Sequence, residues 1–144
     1  MKKVLVINGP NINLLGLREP EIYGSLTYND LLTFIKDAAY AAGIEVQCFQ
    51  SNSEGAIIDE IQKARGVFDG IVINPAAYTH TSIAIADALK AVAIPAVEVH
   101  LSDISKRESY RQLSYVKEAC CATVYGKGFE GYNEAINILK SIKK

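Results

Sequence analysis

With 144 residues, 49% of them apolar, the chain is long enough for one core that removes roughly two thirds of the unfolded surface from water. This apolar content argues against intrinsic disorder, and a formal charge of −1 lacks the basic excess with which proteins engage nucleic acid. The run Lys3 to Asn8 opens as a strand and passes directly into N-G-P-N-I-N-L-L-G-L-R-E-P-E-I-Y-G at 8 to 24. Connections beyond about 12 to 15 residues are uncommon in compact domains and usually serve as lids or binding loops. This one holds Arg18 and Tyr23 between Gly16 and Gly24, two candidate hinges, and a guanidinium beside a phenol is a means of making a tyrosinate base.

A helix is expected next, because Tyr28, Leu31, Leu32, Ile35, Ala38, Ala39 and Ala42 follow the i, i+3, i+4, i+7 rule, with Thr27 as N-cap and Gly43 as stop. Strands follow at Ile44 to Phe49, Gly70 to Asn74, Ala96 to His100 and Cys120 to Tyr125, mostly continuous Val/Ile-rich runs of the type buried on both faces. Between them lie a helix marked by Ile57, Ile58, Ile61 and Ala64, capped by Ser53 and ended by Gly66, and an Ala-rich helix from Ser82 to Val92. Tyr132, Ala135, Ile136, Leu139 and Ile142 mark the last helix. Alternating strands and helices define a doubly wound α/β domain spanning 1–144, with five parallel strands in the expected order 2-1-3-4-5. Cys48, Cys120 and Cys121 lack C-x-x-C spacing and sit in strand-like runs, so they are expected to be buried thiols of a reduced compartment. No apolar stretch approaches the roughly 18 residues of a membrane span or resembles a signal peptide. A cytoplasmic location is expected.

Ligands of such sheets bind beyond the carboxyl ends of the strands, near the topological switch point. Strand one ends at Asn8 and leads to Asn11; strand three runs into N-P-A-A-Y-T-H-T-S at 74 to 82; strand four ends in E-V-H-L-S at 98 to 102. Both histidines of the chain, His80 and His100, therefore fall at this edge. Glu98 and His100 are two apart on a strand, hence on one face, where a carboxylate can orient an imidazole. Arg107 and Arg111 are four apart, a spacing that on a helix would turn both toward the same edge to hold an anionic, hydroxylated substrate.

Other signatures fail on context. Gly126 to Gly131 fits G-x-G-x-x-G, but no strand follows the final helix and no acidic residue lies about 20 positions on, so a strand-to-helix turn is expected instead. There is no Walker loop and no G-x-S-x-G elbow, and the His, Cys and Asp residues form no metal-ligand pattern. A noncatalytic module binding a small polyol acid and a flavin-binding electron carrier are the competing classes. The carrier is disfavoured because a compact Ser/Thr-rich phosphate loop does not follow strand one.

The motifs at 8 to 24, 74 to 82 and 98 to 102, with D-A-L at 87 to 89, resemble type II 3-dehydroquinate dehydratase over nearly the whole chain. The resemblance implies a flavodoxin-like fold, no cofactor, trimers assembled into a homododecamer, and reversible dehydration of 3-dehydroquinate to 3-dehydroshikimate in the shikimate pathway. It also implies roles: Tyr23 as base toward the C2 proton, Arg18 as its supporting cation, His100 as acid toward the departing C1 hydroxyl, and Asn11 as holder of a water against the enolate oxygen. Asn74 with the backbone N–H groups of Leu101 and Ser102 would bind the carboxylate, His80 and Arg111 the hydroxyls, while Asp87 would reach a neighbouring subunit's site. Proton removal alpha to a ketone needs a base, an electrostatic partner for the enolate and an acid for the hydroxide, and these residues supply each. A phenol of ordinary pKa near 10 is ionised in about one molecule in a thousand at neutral pH, so pre-ionisation supplies at most roughly 4 kcal/mol. The chain departs from the family pattern at Asp103, Gln112, Leu113, Ala86 and Lys127, none of which is in the implied catalytic set. Asp103 would either weaken binding at the adjacent carboxylate site or pair with Lys106.

Overall fold

Short Val/Ile runs, buried on both faces in the three central strands, build a five-stranded parallel sheet of order β2-β1-β3-β4-β5 in the computed structural model, which describes residues 1–17 and 25–142. The strands are β1 (Lys3–Asn8), β2 (Glu45–Gln50), β3 (Gly70–Asn74), β4 (Ala96–His100) and β5 (Ala122–Tyr125). The helices are α1 (Tyr28–Ala42), α2 (Glu54–Lys63), α3 (Ile83–Val92) and α4 (Glu130–Ser141). Order and class match the sequence expectation, and the topology is flavodoxin-like.

Alternation sends Val4, Val6, Val72, Val97 and Val99 to one side of the sheet, where Leu31 and Ile35 of α1 and Tyr132 and Ile136 of α4 cover them. Leu5, Ile7, Ile71 and Ile73 face the other side, under Ile57 and Ile61 of α2 and Ile85 and Leu89 of α3. Helix α1 begins where expected. Thr27 accepts from the Asp30 N–H at 3.2 Å and the Asp30 carboxylate accepts from the Thr27 N–H at 2.8 Å, a reciprocal capping box. The G-x-G-x-x-G segment is a strand-to-helix turn from β5 into α4, as its context required.

The fifth strand is shorter than the sequence suggests. Residues Val116–Ala119 form a 3-10 turn, and the Cys120 N–H bonds back to the Lys117 carbonyl, so the strand runs only from Ala122, just after the Cys121 N–H bonds the Ala96 carbonyl of β4 at 2.8 Å. Cys120 and Cys121 thus precede the strand. Cys121 is exposed, contrary to the expectation of buried thiols, whereas Cys48 and Cys120 are half-buried. Burial pushes the Cys48 thiol up to about 11 and the Cys120 thiol up to about 12.

The carboxyl ends of β1 and β3 meet closely. Gly9 N–H donates to the Asn74 carbonyl at 2.7 Å, and a Cβ on Gly9 would lie 2.6 Å from the Pro75 carbonyl oxygen. Because that neighbour is backbone, it has no rotamer by which to yield. Gly9→Ala is expected to destabilise the fold by about 1 to 3 kcal/mol, as overpacking does. Urea unfolding of the variant measures this, and wild-type stability would contradict the close approach.

Candidate functional site

Asn8 and Asn74 are register partners at the ends of β1 and β3, and both point to the α1/α4 side. There they meet Tyr132, a fully buried residue of α4. Its hydroxyl donates to Asn8 Oδ1 at 2.6 Å and accepts from Asn74 Nδ2 at 2.9 Å. Asn74 Oδ1 accepts from the Ala76 N–H at 3.1 Å, so both ends of that amide are held. Burial raises the Tyr132 phenol well above its ordinary value, keeping it protonated and able to donate. The sequence marked Tyr132 only as a helix core position.

Glu98 and His100 project from β4 on the opposite side of the sheet. His100 Nε2 lies 2.5 Å from Glu98 Oε2, with Glu98 at 0% and His100 at 5% relative exposure. Burial by itself would raise the Glu98 carboxyl. The His100 hydrogen bond and charge outweigh it, joined by the Thr79 and Ser114 hydroxyls, and hold the group below the ordinary carboxylate range. An ionised carboxylate only accepts, so His100 Nε2 carries a hydrogen and Nδ1 is the remaining nitrogen. His80 is set differently. Its Nδ1 lies 2.7 Å from the Leu113 carbonyl, which can only accept, and burial lowers its pKa, leaving a neutral ring with a bare Nε2.

These groups converge on an open cleft at the carboxyl edge of the sheet, where doubly wound folds bind small molecules. Asn11, Asn74, His80, His100, Leu101, Ser102, Arg107 and Arg111 all line it. Arg18 and Tyr23 lie outside the described residues. Asp87 is exposed on α3 and does not line the cleft. The two arginines reach the site by a different route from the one their spacing suggests. Residues Ile104–Lys106 and Ser109–Arg111 are two separate 3-10 turns with an extended Arg107 between them, so no helical face is shared. Asp103 is the cause at the first turn, since its side chain takes the Ser105 N–H at 2.9 Å. Lys106 Nζ lies 4.0 Å from Asp103, in line with the pairing alternative. Arg107 Nη1 donates to Ser102 Oγ at 3.4 Å, and Arg111 Nε lies 3.3 Å from Glu108.

The root of the long loop is anchored by groups that sequence reasoning passed over. Asn52 Oδ1 accepts from the Asn11 N–H at 3.0 Å, and Gln50 Nε2 donates to the Gly9 carbonyl at 3.1 Å. These hold Asn11 at φ 70°, an uncommon conformation for a residue other than glycine; Ala76 across the cleft stands at φ 52°. Such strain persists where surrounding contacts over-determine it and concentrates at functional sites. Among the described residues, no group of three or more His, Cys, Asp or Glu side chains is placed to hold a metal ion.

A doubly wound parallel sheet with an imidazole–carboxylate pair and a polar cleft at its carboxyl edge defines an α/β enzyme of small-molecule chemistry. A family model described as dehydroquinase class II matches residues 2–140. The 3-dehydroquinate dehydratase of Geotalea daltonii is 54% identical over 143 residues, covering 99% of each chain. That of Clostridium acetobutylicum is 57% identical over 140 residues, covering 97% of each. The crystal structure of type II dehydroquinase from Butyrivibrio crossotus superposes with a TM-score of 0.95 at 50% identity, over 97% of this chain and 98% of that one. The chain belongs to the class II dehydroquinase family of hydro-lyases.

Two outcomes are expected. Tyr132→Phe leaves Asn8 Oδ1 and Asn74 Nδ2 without their shared partner in a buried place, and should cost about 1 to 3 kcal/mol in denaturant unfolding. Glu98 has its folded carboxyl held below its unfolded value. It therefore contributes stability that is complete above about pH 4.3 and lost as pH falls through the lower folded value. Melting temperatures measured from neutral to acid pH should fall more steeply for the wild type than for Glu98→Gln, and parallel curves would contradict the assignment.

Proposed function

We propose that the chain catalyses the reversible dehydration of 3-dehydroquinate to 3-dehydroshikimate, as a biosynthetic step toward aromatic amino acids, through an enolate. What carries this reading is the buried Glu98–His100 pair at the rim of a cleft that Asn11, Asn74, His80 and Arg111 also line, in a chain that matches the family model over residues 2–140. Tyr23, as phenolate, takes the C2 proton. The electron pair moves onto the C3 carbonyl oxygen, where a water held by Asn11 stabilises the enolate. Collapse of the enolate forms the C1–C2 double bond and expels the C1 hydroxyl, which leaves as water with a proton from His100 Nδ1. Glu98 stabilises the imidazolium that this step requires.

Binding follows from the polarity of the cleft. A ring carboxylate is received by the Asn74 amide and the Leu101 and Ser102 N–H groups, beside the Arg107 guanidinium that bonds Ser102 Oγ. The bare Nε2 of a neutral His80 accepts from a substrate hydroxyl, and Arg111 donates to a second. Arg18 lies five residues before Tyr23 and serves as the cation that favours its phenolate. The scheme needs no cofactor and no Schiff base.

We infer further that the enzyme works in the cytoplasm as trimers assembled into a dodecamer, with Asp87 reaching the neighbouring site. In support, Asp87 stands one helical turn from Ile83, an apolar residue that is 56% exposed on the same face of α3. No described helix is long and apolar enough to cross a membrane.

Absorbance of the conjugated enone on adding 3-dehydroquinate tests the activity directly. Tyr23→Phe should lower kcat by at least about a hundredfold, at the low end of what a positioned acid or base contributes, while substrate still binds. Near-wild-type turnover in that variant would remove Tyr23 from the base role, and no enone signal from the wild type would remove the activity.

A further inference from the structure

The Glu98 carboxylate is held by more than its histidine. Thr79, in the turn after β3, donates to Oε2. Ser114 Oγ lies 3.1 Å from Oε1 and 2.9 Å from Oε2, and Thr123 Oγ1 on β5 lies 3.3 Å from Oε1. Thr79 and Ser114 are themselves buried. The Lys117 N–H donates to Ser114 Oγ at 3.0 Å, and the Ser114 proton is shared between Glu98 and Thr79 Oγ1, which lies 2.8 Å away, so the two hydroxyls and the carboxylate form one network. Both carboxylate oxygens are thereby tied to separate segments of the chain.

A glutamate's last torsion is broad and nearly two-fold, so sequence and strand geometry alone do not fix the plane of its carboxylate. An imidazole takes its tautomer and orientation from the partner of its other nitrogen. If that partner turns, the nitrogen facing the cleft turns with it. The charged and titratable groups around the pair are His80 from the turn after β3, Arg107 and Arg111 from the segment after β4, and Cys120 beside Glu98. The hydroxyls of Thr79, Ser114 and Thr123 supply hydrogen bonds to the Glu98 carboxylate.

We propose that Thr79 and Ser114 are positioning residues of the reaction, whose hydroxyls lock Glu98 in the one orientation that receives His100 Nε2–H and so present His100 Nδ1 to the cleft. The proposal rests on the reading of His100 as the acid. Thr123 assists from β5. The lock acts on proton delivery rather than on substrate capture, because neither hydroxyl lines the cleft.

Thr79→Val keeps the side-chain shape and deletes the donor, while Thr79→Ser keeps the donor and deletes a methyl group. In Thr79→Val, kcat should fall about tenfold, the low end of what a hydrogen bond to a charged group is worth, with KM unchanged. Thr79→Ser should restore kcat. His80 and His100 are the only two histidines, so imidazole 15N spectra resolve both rings. Wild-type His100, when neutral, should show a protonated Nε2 and a bare Nδ1, and in Thr79→Val its two nitrogens should move toward an averaged pair. Ser114→Ala removes a different donor from the same carboxylate and must move both readouts in the same direction. Wild-type 15N shifts in both donor-deleting variants, or a Thr79→Ser variant as impaired as Thr79→Val, would overturn the lock. His100→Gln separates the two readings: full turnover in that variant overturns acid and lock together. An inactive His100→Gln with undisturbed His100 nitrogens in Thr79→Val overturns the lock alone.

Discussion

A carboxylate with no exposure to water sits at the carboxyl end of β4, and the arrangement of the site depends on keeping it charged there. Transferring an unpaired carboxylate from water into a protein interior costs several kcal/mol even after relaxation, more than half the stability of many domains. Glu98 avoids this only because donors arrive from β4 itself, from the turn after β3, from the segment around Ser114 and from β5. The paths of those segments are thereby constrained. The Tyr115 N–H bonds the Thr79 carbonyl at 2.8 Å, which draws the post-β4 segment back across the sheet edge to deliver Ser114. The same segment carries Arg107 and Arg111 to the cleft, so satisfying one buried charge also places two cations.

The two sides of the sheet divide the work. Asn8 and Asn74 fall on even positions and face α4, where a single phenol holds both amides. Glu98 and His100 face the α3 side. Period-two alternation thus keeps the group proposed to bind a carboxylate from competing with the charged pair proposed to deliver a proton. Had Asn74 shared a face with Glu98, its amide would have been one more donor to that carboxylate rather than a fixed partner for a ligand.

Much of this was legible because it depends on local spacing. The Thr27 cap, the Gly43 stop and the pairing of Glu98 with His100 follow from offsets of two, three and four residues, over which backbone geometry alone decides who meets. Tyr132 was not legible as a site residue. Helical periodicity registers an aromatic at a core position, and the partner of its hydroxyl lies 124 residues away on the first strand. Ser114 belongs to a stretch with no period at all. At Arg107 and Arg111 the spacing misled, because the Asp103 side chain competes for a backbone N–H and closes a tight turn where a helix would otherwise have begun.

On the proposed mechanism the acid stands on a strand of the sheet and the base on the long connection after β1. His100 is part of a strand, with its ring set by a buried partner, so its geometry is complete before any substrate arrives and needs no reorganisation as charge develops. Tyr23 belongs to the connection after β1, whose root is held by Asn52 and Gln50 at Asn11 and Gly9. Strain in that root is stored at Asn11 and faced across the cleft by strain at Ala76, two residues held at positive φ by contacts outside themselves. The hydroxyl expelled in the last step therefore finds an acid already in place, oriented by Glu98.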